Sequence, residues 1–329
     1  MNNQSRKRIT YLEKKMNEPL PFVSIIVPAY NAENTIDDCI KSVLNQSFQK
    51  WEMICINDGS TDNTASILNG YAKKDSRIKV FHKKNGGVSS ARNVGLQHTS
   101  NTSLYTHFLD SDDYICPDTY FLIYNAITKA DKDIDYVRLF AKSTKTKYAE
   151  MKWPLMVEQE IETIYTPEEY FKSKKIGGMI CNLFIKTAIA KTIRFDPDLY
   201  FMEDQLFSIS CALKAKNIAF FPPNLYYYYQ SENSASHTKK DLSNNIERLI
   251  EKVSGLDKRI FFKNWVDKSF LPTKANMLVN AKITYFKNSK KASPITTEIP
   301  IFKHLSYKNK IFYIFFKVIT TLKTHVRNK

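Results

Sequence analysis

The chain has 329 residues, 43% apolar and 25% charged, the proportions of an ordinary globular protein that can bury a sizeable core as one large domain or two small ones. Its net charge of +16 sits at the two ends: from Lys239 onward there are 20 Lys and Arg against 6 Asp and Glu, and the first fifteen residues hold five against one. The body between is close to neutral, and no finger, basic zipper or RNP-like aromatic pattern accompanies the charge, so nucleic acid is not an expected partner.

Five cysteines (Cys39, Cys55, Cys116, Cys181 and Cys211) show no C-x-x-C spacing. That is the pattern of reduced, buried thiols in a cytoplasmic protein, not of a disulfide frame or a zinc site. The first twenty residues are polar and basic, with no secretory signal. No apolar run approaches the roughly 18 residues of a spanning helix.

In chain order, Phe22 to Pro28 reads as a short buried strand closed by its proline. A helix follows over Glu33 to Asn45, with Ile36, Ile40, Val43 and Leu44 at helical spacing and Asn31 or Asn34 as cap. Trp51 to Ile56 is a second strand. It runs into Asn57-Asp58-Gly59-Ser60-Thr61-Asp62, a turn whose last residue caps the helix carrying Ala65, Leu68 and Tyr71. Ile78 to Phe81 and Leu104 to Leu109 are the third and fourth strands. Strands alternating with helices of this length predict a parallel, doubly wound sheet with right-handed crossovers. Between the third and fourth strands, Asn85 to Gly95 brings three of the chain's eight glycines ahead of a short helix. Backbone N–H groups and the helix N-terminus can approach an anion there, although the glycines also suit a plain turn.

The fourth strand ends in Phe108-Leu109-Asp110-Ser111-Asp112-Asp113-Tyr114, three carboxylates directly after an apolar run. Ligands of open α/β sheets bind at that end, and a hard cation held by one or two carboxylates and substrate phosphates is the usual Mg²⁺ or Mn²⁺ arrangement. A polar turn capping the next helix explains the same residues equally well when D-x-D stands alone.

Five segments in order remove that ambiguity: V-S-I-I-V-P-A-Y-N (23–31), S-V-L-N-Q-S-F (42–48), N-D-G-S-T-D (57–62), N-G-G-V-S-S-A-R-N-V-G (85–95) and F-L-D-S-D-D (108–113). Together they resemble the family 2 glycosyltransferases of GT-A fold, whose bacterial members build capsule, lipopolysaccharide and O-antigen glycans. The resemblance implies a Rossmann-like, mostly parallel α/β sheet flanked by helices, to which the composition adds a helical, basic C-terminal extension. It implies that Pro28, Tyr30, Asn31 and Glu33 flank the nucleotide base, that Asp58 bonds the uracil or ribose, and that Gly87 and Arg92 lie by the base and diphosphate. It further places Asp110 and Ser111 at the ribose or sugar, makes Asp112 the direct metal ligand with Asp110 beside it, and leaves Asp113 to support the ligands. A nucleotide-sugar donor, UDP-linked, and Mn²⁺ or Mg²⁺ follow from the same likeness.

Beyond the motif, a helix from Pro117 to Lys129 and a strand from Ile134 to Phe140 complete the sheet, and the lysine-rich run Ala141 to Tyr148 reads as a surface loop. Thr166-Pro167-Glu168-Glu169 reads as a capped helix start, and Gly177-Gly178 as a turn. Glu203 and Asp204 open a helix with Leu206, Phe207, Ser210 and Leu213 as its apolar face. Acids in a first turn are favoured by the helix dipole alone. The family likeness gives them chemistry, with Asp204 the catalytic base and Glu203 a neighbour that orients the acceptor. A base facing the sugar opposite its leaving group implies inversion.

Asn217 to Phe221 and Leu225 to Tyr229 read as two strands around Pro222-Pro223-Asn224, with Tyr226 to Tyr229 alternating between faces. The loop from Gln230 to His237 departs from the family, since Gln230 stands where an arginine is common. His237 is either one more metal or diphosphate ligand or a solvated loop residue. From Asp241 the pattern is helical and lysine-rich. Ile246, Leu249, Ile250, Val253 and Leu256, then Phe261, Phe262, Trp265, Phe270, Met277 and Leu278, and finally Ile311 to Ile319 among lysines, suit either an anionic membrane surface or packing on the catalytic domain.

The expected organisation is thus a basic segment (1–20), a GT-A domain (21–238, nucleotide-sugar half 21–116 and acceptor half 117–238) and a basic helical region (239–329), peripheral on the inner face of the plasma membrane. The expected acceptor is a glycan or a lipid-linked glycan. The rivals are a nucleotidyltransferase on a similar sheet and a non-catalytic membrane-binding module.

Overall fold

The structure, a computed structural model, describes residues 21–153, 159–161, 163–173, 176, 179–230 and 243–278. Among the described residues nine strands form one mixed sheet: β1 (Val23–Ala29), β2 (Trp51–Asn57), β3 (Ile78–His82), β4 (Tyr105–Phe108), β5 (Tyr114–Ile115), β6 (Tyr136–Thr144), β7 (Ile164–Tyr165), β8 (Leu183–Lys186) and β9 (Ile218–Tyr229). Their order is β3-β2-β1-β4-β8-β6-β9-β5, with β7 paired to β9. The first four strands are parallel, as is the long β6–β9 ladder; β8 enters antiparallel between β4 and β6.

β1 and β2 are buried along their whole length, which is why they read as continuous apolar runs and not as alternating ones. On one face Ile25 and Val27 pack with α1 (Ile36–Leu44) and α4 (Thr119–Lys129). On the other, Ile26 and Phe108 meet Leu96 of α3 (Gly87–His98) and the apolar side of α7 (Glu203–Lys214). Gly95 lets α3 lie directly on β1, because a Cβ there would collide with the Ile26 side chain. The remaining helices are α2 (Thr64–Lys74), α5 (Pro167–Lys172), α6 (Thr187–Ala190), α8 (Ser243–Gly255) and α9 (Ile260–Trp265).

Several expectations are corrected. The residues 141–144 read as loop extend β6, and the two strands expected around Pro222-Pro223 are one, β9; the ladder absorbs the prolines in register shifts at Phe140, where Pro can sit without donating. The cap of α1 is Thr35, without a side-chain bond; Asn31 instead adopts a left-handed φ of 48° and accepts from Thr61 N at 2.8 Å. Asn63 caps α2, while Asp62 accepts from Thr64 N at 3.0 Å. The buried side of α7 is Leu206, Phe207, Ser208, Ile209, Cys211 and Ala212, so Ser210 and Leu213 are not at its centre. Tyr226 and Tyr227 are both buried, because Tyr226 enters the sheet core and Tyr227 stacks on Tyr114 at 5.7 Å. All five cysteines are buried and unpaired, and Thr166 forms the expected capping box with Glu169.

The amphipathic residues that follow pack on the body. Ile246, Leu249, Ile250 and Val253 of α8, then Phe262, Trp265, Phe270 and Leu278, share one core with Phe171 and α7; Leu256 stays 37% exposed. The helical path continues from α9 through a π-turn (Val266–Phe270) to residue 278, and Leu271 N closes that wide turn on Val266 O. Pro272, which has no N–H to give, immediately follows it. Gly177, Gly178, His237 and Ile311–Ile319 lie outside the described residues. Among the described residues, no helix is long and apolar enough to cross a membrane.

Candidate active site

The loops after β1 and β2 meet above the parallel half of the sheet. Asn31 N donates to Ser60 Oγ at 3.0 Å, Glu33 N donates to Asp62 Oδ2 at 3.1 Å, and Asn63 N returns a bond to Glu33 Oε2 at 3.0 Å. Pro28 lies within β1, and Tyr30 is left half exposed beside the pinned loops. Asp58, 3% exposed one residue past β2, accepts from Lys83 Nζ and, at 3.0 Å, from Gly86 N. Gly87 opens α3 with φ +82°, which its lack of a Cβ allows without strain. The expected nucleotide-side residues therefore do gather at one edge, and Lys83, which sequence reading passed over, holds Asp58 in place.

Asp110, Ser111, Asp112 and Asp113 form a tight turn after β4, closed by Asp113 N on Asp110 O at 3.0 Å. Burial and the charge of Asp110 push the Asp112 carboxyl up to about 6. Burial, with Asp110 and Asp112 close by, raises Asp113 well above the ordinary carboxylate range, while Tyr226 Oη and, at 2.9 Å, Tyr229 N donate to it. Among the described residues, the group whose ligand atoms converge is Asp110, Asp113 and Cys181, within 4.8 Å of one another. Cys181 is fully buried, with its thiol raised well above its usual range and so protonated. Asp113 already accepts two protein bonds. The expected ligand Asp112 is not a member of that group, and a cluster of crowded carboxylates is the chemistry a divalent ion relieves.

One side chain joins this tip to the second acidic site. Arg92, on α3 and 4% exposed, donates through Nη2 to Asp110 Oδ1 and through Nη1 to Glu203 Oε1, both at 2.8 Å. Burial opposes its charge, but the carboxylates of Asp110, Glu203 and Asp204 outweigh that and raise its pKa. Asp204 is partly buried next to Glu203; desolvation, Glu203 and Asp110 push it up to about 7 against the pull of Arg92, and it accepts from Gln205 N at 2.7 Å. Met202, the residue before this pair, has φ 64°, an uncommon conformation for a long side chain and one that collects at functional sites. Nothing in the sequence pattern distinguished Met202.

The profile described as glycosyl transferase family 2 matches residues 24–191, about half the chain. The chain belongs to that family. Among its relatives, EpsJ of Bacillus subtilis, an uncharacterized glycosyltransferase, is 34% identical over 223 residues, 65% of this chain and 63% of the relative. The poly(ribitol-phosphate) beta-glucosyltransferase of Bacillus spizizenii is 30% identical over 63% of this chain and 32% of its own length. This family 2 chain thus spans less than two thirds of the length of these curated relatives. The crystal structure of S. aureus TarS residues 1–349 with UDP-GlcNAc superimposes with a TM-score of 0.59 at 24% identity, covering 82% of this chain and 73% of that one. That likeness is one of fold, and the mixed α/β sheet seen here is the GT-A arrangement, as the resemblance implied.

Proposed function

We propose that the protein is an inverting, metal-dependent glycosyltransferase that moves a sugar from a UDP-linked donor to a hydroxyl of a glycan or lipid-linked acceptor in bacterial surface-polysaccharide synthesis. The Arg92 bridge from Asp110 to Glu203 carries this reading, because it gathers the acidic turn and the Glu203–Asp204 pair into one site. Membership of the family, the surface-polymer enzymes among the relatives, and the UDP-GlcNAc bound by a protein of the same fold support the donor and acceptor classes.

In this mechanism Pro28, Tyr30, Asn31, Glu33 and Asp58 line the base and ribose, Gly87 and Arg92 border the diphosphate, and Ser111 lies beside the sugar. Asp112 and Asp110 would hold Mn²⁺ or Mg²⁺, which when bound supplies positive charge to the departing diphosphate. Asp204 takes the proton of the acceptor hydroxyl as its oxygen forms the new bond to the anomeric carbon and the bond to the diphosphate oxygen breaks. A carboxyl near 7 is well matched to that task at neutral pH. Glu203, tied to Arg92, orients the acceptor. Attack from the face opposite the leaving group inverts the anomeric carbon in one displacement; a glycosyl–enzyme adduct seen by mass spectrometry would refute it.

The first test is a thermal-shift panel of nucleotide sugars with and without Mn²⁺, beginning with UDP-GlcNAc, since a ligand that binds only the folded state raises the melting temperature. A metal-dependent rise with UDP-sugars is expected. No rise with any nucleotide would sink the reading. The basic C-terminal region is proposed to hold the enzyme peripherally at the inner membrane face; flotation of the full chain with anionic liposomes at low salt tests this, and failure to float removes it.

A further inference from the structure

The segment from Phe195 to Met202 leads into the acidic pair, and it is held from two sides. α3 grips its start: Asn93 Nδ2 donates to Phe195 O at 2.8 Å, and Phe195 N donates to Asn93 Oδ1 at 2.9 Å. On the other side stands α8, beyond the residues that match the family. Arg248 of that helix donates through Nε to Asp196 and through Nη2 to Asp198, both at 2.9 Å, and Lys252 Nζ lies 3.0 Å from Asp196 Oδ2. Both cations are partly exposed, so these pairs guide the segment more than they lock it.

The tie next to the acids is of another kind. Phe201 N donates to Asn245 Oδ1 at 2.9 Å, and Asn245 is 4% exposed, so the bond is made away from water. A backbone N–H left there without an acceptor would bear its full desolvation cost. Directly after Phe201 comes Met202 with its left-handed φ of 64°. A long side chain keeps such a backbone only where the surroundings over-determine it. Here they are C-terminal: Asn245 fixes the peptide before Met202, and Lys274 Nζ, from the helical run beyond the π-turn, rests 3.3 Å from Met202 Sδ. Leu206 N in turn closes on Met202 O at 3.3 Å, so the conformation of this one residue sets where α7 begins.

We propose that Asn245 is a positioning residue of the transfer site: by accepting from Phe201 it fixes the left-handed turn that presents Glu203 and Asp204 to the acceptor. This rests on the reading of that pair as the acceptor-side machinery. Arg92 reaches Glu203 from α3, whereas Asp204 accepts from Gln205 N of its own helix; the place of Asp204 therefore follows the place of the helix start. Asn245 thus serves transfer and not donor binding, and it does so from a helix outside the matched segment.

Two variants of the full chain separate the bond from the packing. Asn245→Leu keeps the bulk and removes the acceptor, and Asn245→Asp keeps an acceptor oxygen. Amide exchange followed by mass spectrometry is the first readout. Asn245→Leu should speed exchange in the peptide over 199–206 about tenfold or more and leave the peptide over 57–62 unchanged, and Asn245→Asp should restore the protection. If Asn245→Leu does not fold, Asn245→Ala takes its place.

The second readout is UDP release from UDP-GlcNAc, or from whichever UDP-sugar the panel selects, with water as acceptor, set beside UDP binding by calorimetry. Asn245→Leu should slow release about tenfold to a hundredfold at unchanged UDP affinity, and Asn245→Asp should recover the rate. Parent-like exchange over 199–206 overturns the proposal, and so does faster exchange there with parent-like release. Loss of UDP affinity along with the rate also overturns it, since the lesion would then be one of the whole fold. If water is too poor an acceptor to give a rate, the exchange pattern and its recovery in Asn245→Asp decide alone. Asp204→Asn releasing UDP at the parent rate would instead remove the base assignment, a failure seen without touching Asn245.

Discussion

The parallel strands β1 to β4 and the later elements β8, β9, α7 and the C-terminal helices supply the site differently. In the parallel half, each group follows the strand that aims it: Asp58 comes one residue after β2, and Asp110 two residues after β4. In the later half, groups are fixed by partners far along the chain. Asp113 accepts from Tyr226, 113 positions on, Arg92 reaches Glu203 across 111, and Lys274 meets Met202 across 72. Local geometry places the groups of the parallel half, and only the completed fold assembles those of the later half.

That contrast can be broken at graded cost. The largest effect is expected for Asp204→Asn, which should slow transfer about 10²- to 10⁴-fold while leaving donor binding by calorimetry nearly intact; Asp112→Asn should do the reverse and abolish Mn²⁺-dependent nucleotide binding. Equal loss of binding in both would show that the two acidic sites do not divide the work. Arg92→Met joins the halves in one lesion: it strands two carboxylates, and urea unfolding should show a loss of about 3–5 kcal/mol.

Gly95→Ala strikes only the parallel half. Overpacking against Ile26 should cost about 1–3 kcal/mol in the same assay. Tyr226→Phe tests the later half by taking one donor from buried Asp113, at about 1–3 kcal/mol.

The smallest effect is on pH dependence in EDTA. Asp112 and Asp204 titrate higher in the folded than in the unfolded chain, so the stability they contribute is complete below about pH 4 and is lost as pH rises through about 6 and 7. The melting temperature of Asp204→Asn should therefore fall less between pH 5 and 8 than that of the parent; identical slopes would contradict the burial of that carboxyl.

The same contrast governs what sequence reading could reach. The strand-turn-helix units of residues 22–115 advertise themselves, because a doubly buried strand is an apolar run and the turn after it holds the site's polar groups together. The E-D pair at 203–204 was found by family likeness, since an acidic first turn is otherwise ordinary helix chemistry. The extension of β6 through Thr144 escaped notice because lysines tolerate an exposed strand end. Lys83 and Met202 were invisible for a different reason: what they do comes from burial and from neighbours distant in the chain, and neither leaves a periodic trace.

The interlaced loops after β1 and β2 have a thermodynamic corollary. With Asn31 already tied to Thr61, and Glu33 to Asp62 and Asn63, a visitor landing on that rim need not freeze a wandering segment. The conformational entropy of docking was surrendered when the chain folded, so affinity at that edge should track the contacts made there, with little toll for ordering the backbone.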